Sequence, residues 1–130
     1  MNALADTLPP HLTLGRKAED AACSYIRDLG WNVLARNFLC KRGELDIVAM
    51  DEREKELVVV EVRCRTNGKF QLPEESVSQR KLRSLVFAAR IYVDRIKWDG
   101  PWRIDIVGII ASPGTAEDKW RISHIRGVRV

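Results

Sequence analysis

The sequence predicts a single α/β domain. Three observations predict it: apolar residues at helical spacing from Leu14 to Leu29; two Val-, Ile- and Leu-rich runs, Glu44 to Met50 and Glu56 to Cys64, flanking a charged loop; and a second helical period followed by an apolar run from Trp102. At 130 residues the chain is long enough for one real core and too short for two comfortable domains.

Residues 1 to 12 contain Pro9 and Pro10, show no periodicity, and read as a loose tail before a single domain spanning 13 to 130. Thr13 is the expected N-cap of the first helix. Leu14, Ala18, Ala21, Ala22, Tyr25 and Leu29 form its apolar stripe, and Gly30 stops it. Trp31 to Leu39 alternates and predicts a strand that ends at the basic loop Cys40 to Gly43. Glu44 to Met50 and Glu56 to Cys64 predict an antiparallel hairpin around Asp51 to Lys55. After a loop at Asn67, Gly68 and Pro73, a second helix is expected from Glu74 to about Lys97, broken by Asp99, Gly100 and Pro101. Trp102 to Ala111 is apolar enough for the middle of a sheet, and a last strand is expected from Lys119 to Val128.

Composition narrows the function classes. Apolar residues make up 45% and charged residues 31%, an ordinary globular balance, and no apolar run approaches the ~20 residues of a membrane span. The first residues lack the basic flank and continuous apolar stretch of a secretory signal, so a cytoplasmic, non-membrane protein is expected. Cys23, Cys40 and Cys64 are widely spaced, and only His11 and His124 accompany them, which argues against a disulfide framework or a zinc site. The net charge of +4 is unevenly spread: residues 1 to 65 hold 10 Lys and Arg against 11 Asp and Glu, whereas residues 66 to 130 hold 12 against 7. A basic half beside an acid-bearing half suits a protein that holds a phosphate backbone next to a cation.

The hairpin carries the chemistry. With Glu52 to Lys55 as its loop, paired positions add up to 107 and Asp46 faces Glu61, their Cβ atoms about 4.5 to 5.5 Å apart on one face. Like charges opposite each other destabilise a sheet unless one acid stays protonated or a cation lies between them. Hard carboxylate oxygens without soft ligands favour Mg²⁺ or Mn²⁺. Alternation puts Arg63 on the face of Glu61, and Glu44 on that of Asp46. Glu19 lies on the border of the first helix's apolar arc, within reach of the sheet rim. In the second helix, Lys81 is the single charge within the apolar half, aimed at the same carboxylates unless it snorkels to water; Arg80, Arg83 and Arg90 face outward.

These residues resemble the YraN-like family of small bacterial proteins, similar in fold to Holliday junction resolvases and other PD-(D/E)xK nucleases. The likeness runs from Leu14 to about Val107, through Leu14-Gly15-Arg16, Glu19-Asp20-Ala21-Ala22, Arg36-Asn37, Gly43 to Ala49, Val60-Glu61-Val62-Arg63, Lys81 and Arg103 to Val107. It implies a restriction endonuclease-like αβββαβ core with a mixed central sheet flanked by helices. It also implies that Glu19, Asp46 and Glu61 bind metal, with the Val62 carbonyl completing the shell. The family's motif commonly ends in lysine, where this chain has Arg63. Arginine clamps phosphate but cannot act as a base, which leaves Lys81 as the natural substitute.

The expected activity is therefore a Mg²⁺- or Mn²⁺-dependent DNA endonuclease, selecting structure rather than base sequence. Glu19, Asp46, Glu61, Arg63 and Lys81 form its catalytic set. Lys41, Arg42, Arg65, Arg80, Lys81, Arg83 and Arg90 grip nucleic acid, DNA rather than RNA, and a homodimer would suit a branched or duplex substrate. The alternatives are a non-catalytic nucleic-acid-binding module and a docking partner in DNA repair or uptake, each retaining the nuclease fold.

Overall fold

The computed structural model describes residues 10–66, 77–112 and 114–129, the side chains of 10–12 and 118 excepted. In chain order the elements are α1 (Pro10–Asp28), β1 (Asn32–Cys40), β2 (Gly43–Asp51), β3 (Glu56–Arg65), α2 (Gln79–Arg95), β4 (Trp102–Ile110), a 3₁₀ turn (Glu117–Lys119) and β5 (Arg121–Ile125). The five strands form one sheet in the order β1-β2-β3-β4-β5. The β3–β4 pair is parallel and the other three are antiparallel, so the sheet is mixed. Parallel neighbours need a crossover, and α2 lies within the connection that provides it.

The two helices bury opposite faces of the sheet. Ala18, Ala22, Cys23 and Ile26 of α1 pack on Ile47, Ala49, Val58, Val60, Val107 and Ile109. Leu82, Leu85, Ala88, Ala89 and Tyr92 of α2 pack on Val48, Met50, Leu57, Val59 and Ile104. Leu57 to Val60 thus point alternately into two cores and are all buried, which explains a continuous apolar run in β3. No helix among the described residues is long and apolar enough to cross a membrane.

Helix boundaries correct the sequence reading at two points. The first helix begins at Pro10, not at Thr13, because proline in the first turn sacrifices only an N–H that would have no helical partner. Gly30 does end it: Trp31 N–H bonds to the Ile26 carbonyl and Gly30 N–H to that of Arg27, with Gly30 at φ +89°. The second helix begins at Gln79 rather than Glu74, since the Ser78 hydroxyl caps it by accepting from Lys81 N–H at 3.1 Å. Residues 74–76, like the loop expected at Asn67 to Pro73, lie outside the described residues. The last strand is shorter than expected at both ends: Lys119 belongs to the 3₁₀ turn, and the strand runs only from Arg121 to Ile125.

Candidate functional site

The site is built on the β2–β3 hairpin. Asp51 tightens its turn by accepting from the N–H groups of Arg53 and Glu54 at 3.1 and 3.2 Å. From there the pairs run Asp51 with Glu56, Met50 with Leu57, Ala49 with Val58, Val48 with Val59 and Ile47 with Val60, the register the turn length dictates. Regular pairing stops at Asp46. Its Oδ2 instead accepts from Val62 N–H at 2.8 Å, so a side chain takes the place of a backbone acceptor where the strands part.

This turns Asp46 towards Glu61. The Glu61 side chain is 3% exposed, carboxyl hydrogen-bonded to carboxyl with Asp46. Burial, and then the charge and hydrogen bond of Asp46, push the Glu61 pKa up to about 8, against the pull of Lys81 and Arg63. Lys81 Nζ and Arg63 Nη1 each stand 3.8 Å from Glu61 Oε2. The lone cation on the apolar half of α2 therefore reaches the acid pair.

Glu19 approaches from α1. Burial raises its pKa first, then Asp46 and Glu44, against the opposing effects of Arg36 and Asn37. Arg36 Nη2 lies 3.8 Å from Glu19 Oε1 and 2.8 Å from Asp20 Oδ1. Oriented to satisfy its neighbours, the Asn37 amide donates to Glu19 Oε1 at 2.9 Å and to Glu44 Oε1 at 3.0 Å. Asn37 has φ +54°, a conformation asparagine tolerates better than most residues, and it fills the gap between the pairs Arg36–Ile47 and Phe38–Leu45. Strand alternation slips here: Leu45 packs towards α2, whereas Ile47, two residues on, packs towards α1. Glu44 accordingly joins Glu19 through Asn37, and does not simply share the face of Asp46 as strict alternation implies.

Most of the expected residues converge. Glu61, Asp46, Arg63 and Lys81 meet directly, Val62 meets them through its N–H, and Glu19 borders them. Lys41 and Arg42 are exposed in the β1–β2 turn, Arg80, Arg83 and Arg90 are exposed on α2, and Arg65 is half-buried at the end of β3. Among the described residues no three of His, Cys, Asp and Glu stand close enough to form a ready cation cage. The pair that does meet offers hard oxygens, and a two-carboxylate site fits Mg²⁺ or Mn²⁺, which keep water and phosphate as their remaining partners.

Two residues carry more than their sequence positions suggest. Asn37 is a polar residue at positive φ inside a strand whose register shift lies elsewhere, between Val33 and Ala35. Asp105 is an acid inside an apolar strand, fully buried, where a charge demands partners. It receives them from Arg103 (Nε to Oδ1, 2.9 Å; Nη2 to Oδ2, 3.2 Å), His124 Nε2 (2.8 Å) and Gly127 N–H (2.9 Å).

Comparison with known proteins supplies the lineage. The model of an uncharacterised protein family, UPF0102, matches residues 18–109. A UPF0102 protein of Bacteroides thetaiotaomicron is 40% identical over 116 residues, covering 89% of this chain and 91% of the relative. One from Phocaeicola vulgatus is 36% identical over 109 residues, 82% and 88% of the two chains. Another from Pseudomonas fluorescens is 41% identical over 101 residues, 76% and 82% of the two. With a sheet, helix order and acid-bearing hairpin consistent with an αβββαβ core, the chain belongs to the UPF0102 (YraN) family of the restriction endonuclease-like superfamily.

Proposed function

We propose that this protein is a metal-dependent phosphodiesterase that cleaves DNA according to its structure. The observation that supports it most is the Asp46–Glu61 pair, a half-buried acid held against a nearly inaccessible one, with two cations 3.8 Å from Glu61. A purely structural pair would gain nothing from that repulsion.

When bound, Mg²⁺ or Mn²⁺ supplies Lewis acidity at the phosphate. Asp46 and Glu61 would hold it, with Glu19 and the Val62 carbonyl as further oxygen donors. Lys81 and Arg63 orient the phosphate and offset the charge that grows on it. Arg63, always protonated, clamps and does not take a proton. Lys41, Arg42, Arg65, Arg80, Arg83 and Arg90 hold the backbone and encode no base sequence. The reading puts the protein in the cytoplasm, a reducing compartment suited to the free thiols of Cys23, Cys40 and Cys64. A two-fold homodimer would match a branched or duplex substrate.

Arg63 at the motif's final position supports a second reading, a nucleic-acid-binding module that keeps the fold without turnover. Purified protein incubated with branched, single-stranded and duplex DNA in Mn²⁺ separates the two. Cleavage by wild type and its loss in Glu61→Ala is the expected result; cleavage that survives in the variant comes from a contaminant. Calorimetry with Mn²⁺ should show a site in wild type that Asp46→Ala lacks, and equal binding by both removes the metal assignment.

A further inference from the structure

On the outer side of α2 lies a surface that the acid pair does not use. Phe87 is 48% exposed, although a helix of this kind normally keeps its aromatic residues on the buried stripe. Four residues earlier and three later stand Arg83 and Arg90, which flank Phe87 on the helix surface. Arg42 reaches over from the β1–β2 turn, its guanidinium carbon 5.2 Å from the centre of the Phe87 ring. That turn is docked on the helix: a Cβ on Gly43 would lie 3.8 Å from Ser84 Cβ. Phe87 also borders an open cavity of about 670 Å³ whose apolar walls include Ile91 and Trp98. Arg90 and Lys97 stand at this cavity, with Asp94 and Asp99.

We propose that Phe87 is a stacking platform for an unpaired base of a single-stranded nucleic-acid segment, with Arg42, Arg83 and Arg90 on the flanking phosphates. An exposed ring among guanidinium groups suits a polyanion with flat apolar faces; a protein partner would need matching acids. A base in a duplex hides both faces in the stack, so only an unpaired one can use the ring. The carboxylates of Asp94 and Asp99 can accept from exocyclic amines of a base seated in the cavity. Lys81 is six residues before Phe87 on the same helix, about 9 Å along its axis, so a strand on the platform is within a few nucleotides of the acid pair. The inference rests on the nucleic-acid reading above and adds the strand state of the substrate: a single strand, a flap or the open arm of a branch.

The test is fluorescence anisotropy of the full chain in EDTA, where cleavage plays no part, with labelled single-stranded DNA, the matching RNA and blunt duplex DNA. Wild type should bind the single strands more tightly than the duplex, with the DNA and RNA arms identifying which sugar is preferred. Phe87→Ala should weaken single-strand binding about tenfold, leave duplex binding and the salt slope unchanged, and keep the far-ultraviolet circular dichroism of wild type. Phe87→Trp should restore affinity. Arg42→Ala should weaken both forms and reduce the salt slope by about one. Unchanged or uniformly reduced affinity in Phe87→Ala overturns the platform while leaving nucleic-acid binding intact. If wild type binds none of the three, the nucleic-acid reading fails with it. Sedimentation that shows Phe87→Ala dissociating a dimer, with DNA affinity unaltered, makes the patch a contact between copies and also overturns the proposal.

Discussion

Two buried acids on neighbouring strands show opposite electrostatic solutions. Asp105 of β4 is paired in register with Val60, the residue before Glu61 of β3, and both carboxyl groups are nearly inaccessible. Burial alone would raise both pKa values. At Asp105, hydrogen bonds from His124, Arg103 and Gly127 outweigh burial and hold the carboxyl below its usual range. At Glu61 the hydrogen-bonding partner is another acid, so burial and repulsion act in the same direction and outweigh Lys81 and Arg63. One site is electrostatically complete and ties the chain's last segment to the sheet; the other is left in conflict. The divalent ion of the proposed function would relieve that conflict.

The largest effect expected from this contrast is on stability. Asp105→Ala leaves the nearly buried His124 side chain without its acid partner, leaves Arg103 with Glu56 alone and removes the acceptor of Gly127, so equilibrium denaturation should show a loss of about 3 kcal/mol. A loss below about 1 kcal/mol would mean that the cluster does not hold the last segment.

Glu61→Gln should have the opposite sign. Because the folded state raises the Glu61 pKa from the ordinary carboxylate range to about 8, folding takes up a proton, and stability falls as pH climbs through that window. A tenfold change in proton affinity is worth about 1.4 kcal/mol, so without divalent metal wild type should lose on the order of a few kcal/mol between about pH 5 and pH 9. The glutamine variant should flatten this decline and be the more stable protein at the alkaline end, read from melting temperatures across the range. A wild-type curve no steeper than that of the variant would remove the distinction between the two acids.

Asn37 gives the smallest effect and tests how the conflicted site is framed. Asn37→Gly keeps the positive φ and deletes the amide, whereas Asn37→Ala deletes the amide and strains the backbone by about 1–2 kcal/mol. Both should weaken Mn²⁺ binding in calorimetry through loss of the bridge between Glu19 and Glu44, with only the alanine variant clearly destabilised. Equal destabilisation would show that the amide bridge, and not the positive φ, is what Asn37 contributes to stability.

The hairpin was legible in the sequence because a short charged turn sets the register and a period of two sets the face, both local properties. Lys81 was legible for the same reason, since one helix wheel exposes a charge in the wrong half. Asn37 was not, because its two partners, Glu19 and Glu44, come from α1 and β2, and no local period reveals them. The start of α2 was misjudged because apolar spacing continues past Ser78, and only the capping bond separates helix from approach.

By itself the amino-acid sequence determined the element order, the two apolar stripes, the pairing of Asp46 with Glu61 and the basic bias of the second half, all consequences of spacing and composition over a few residues. Tertiary structure alone decided that Asp105 is neutralised, that Asn37 joins Glu19 to Glu44 beside the acid pair, and that Phe87 stays outside the core. Each depends on groups far apart in the chain, and the energy of a buried charge is set by whatever the fold brings within hydrogen-bond reach.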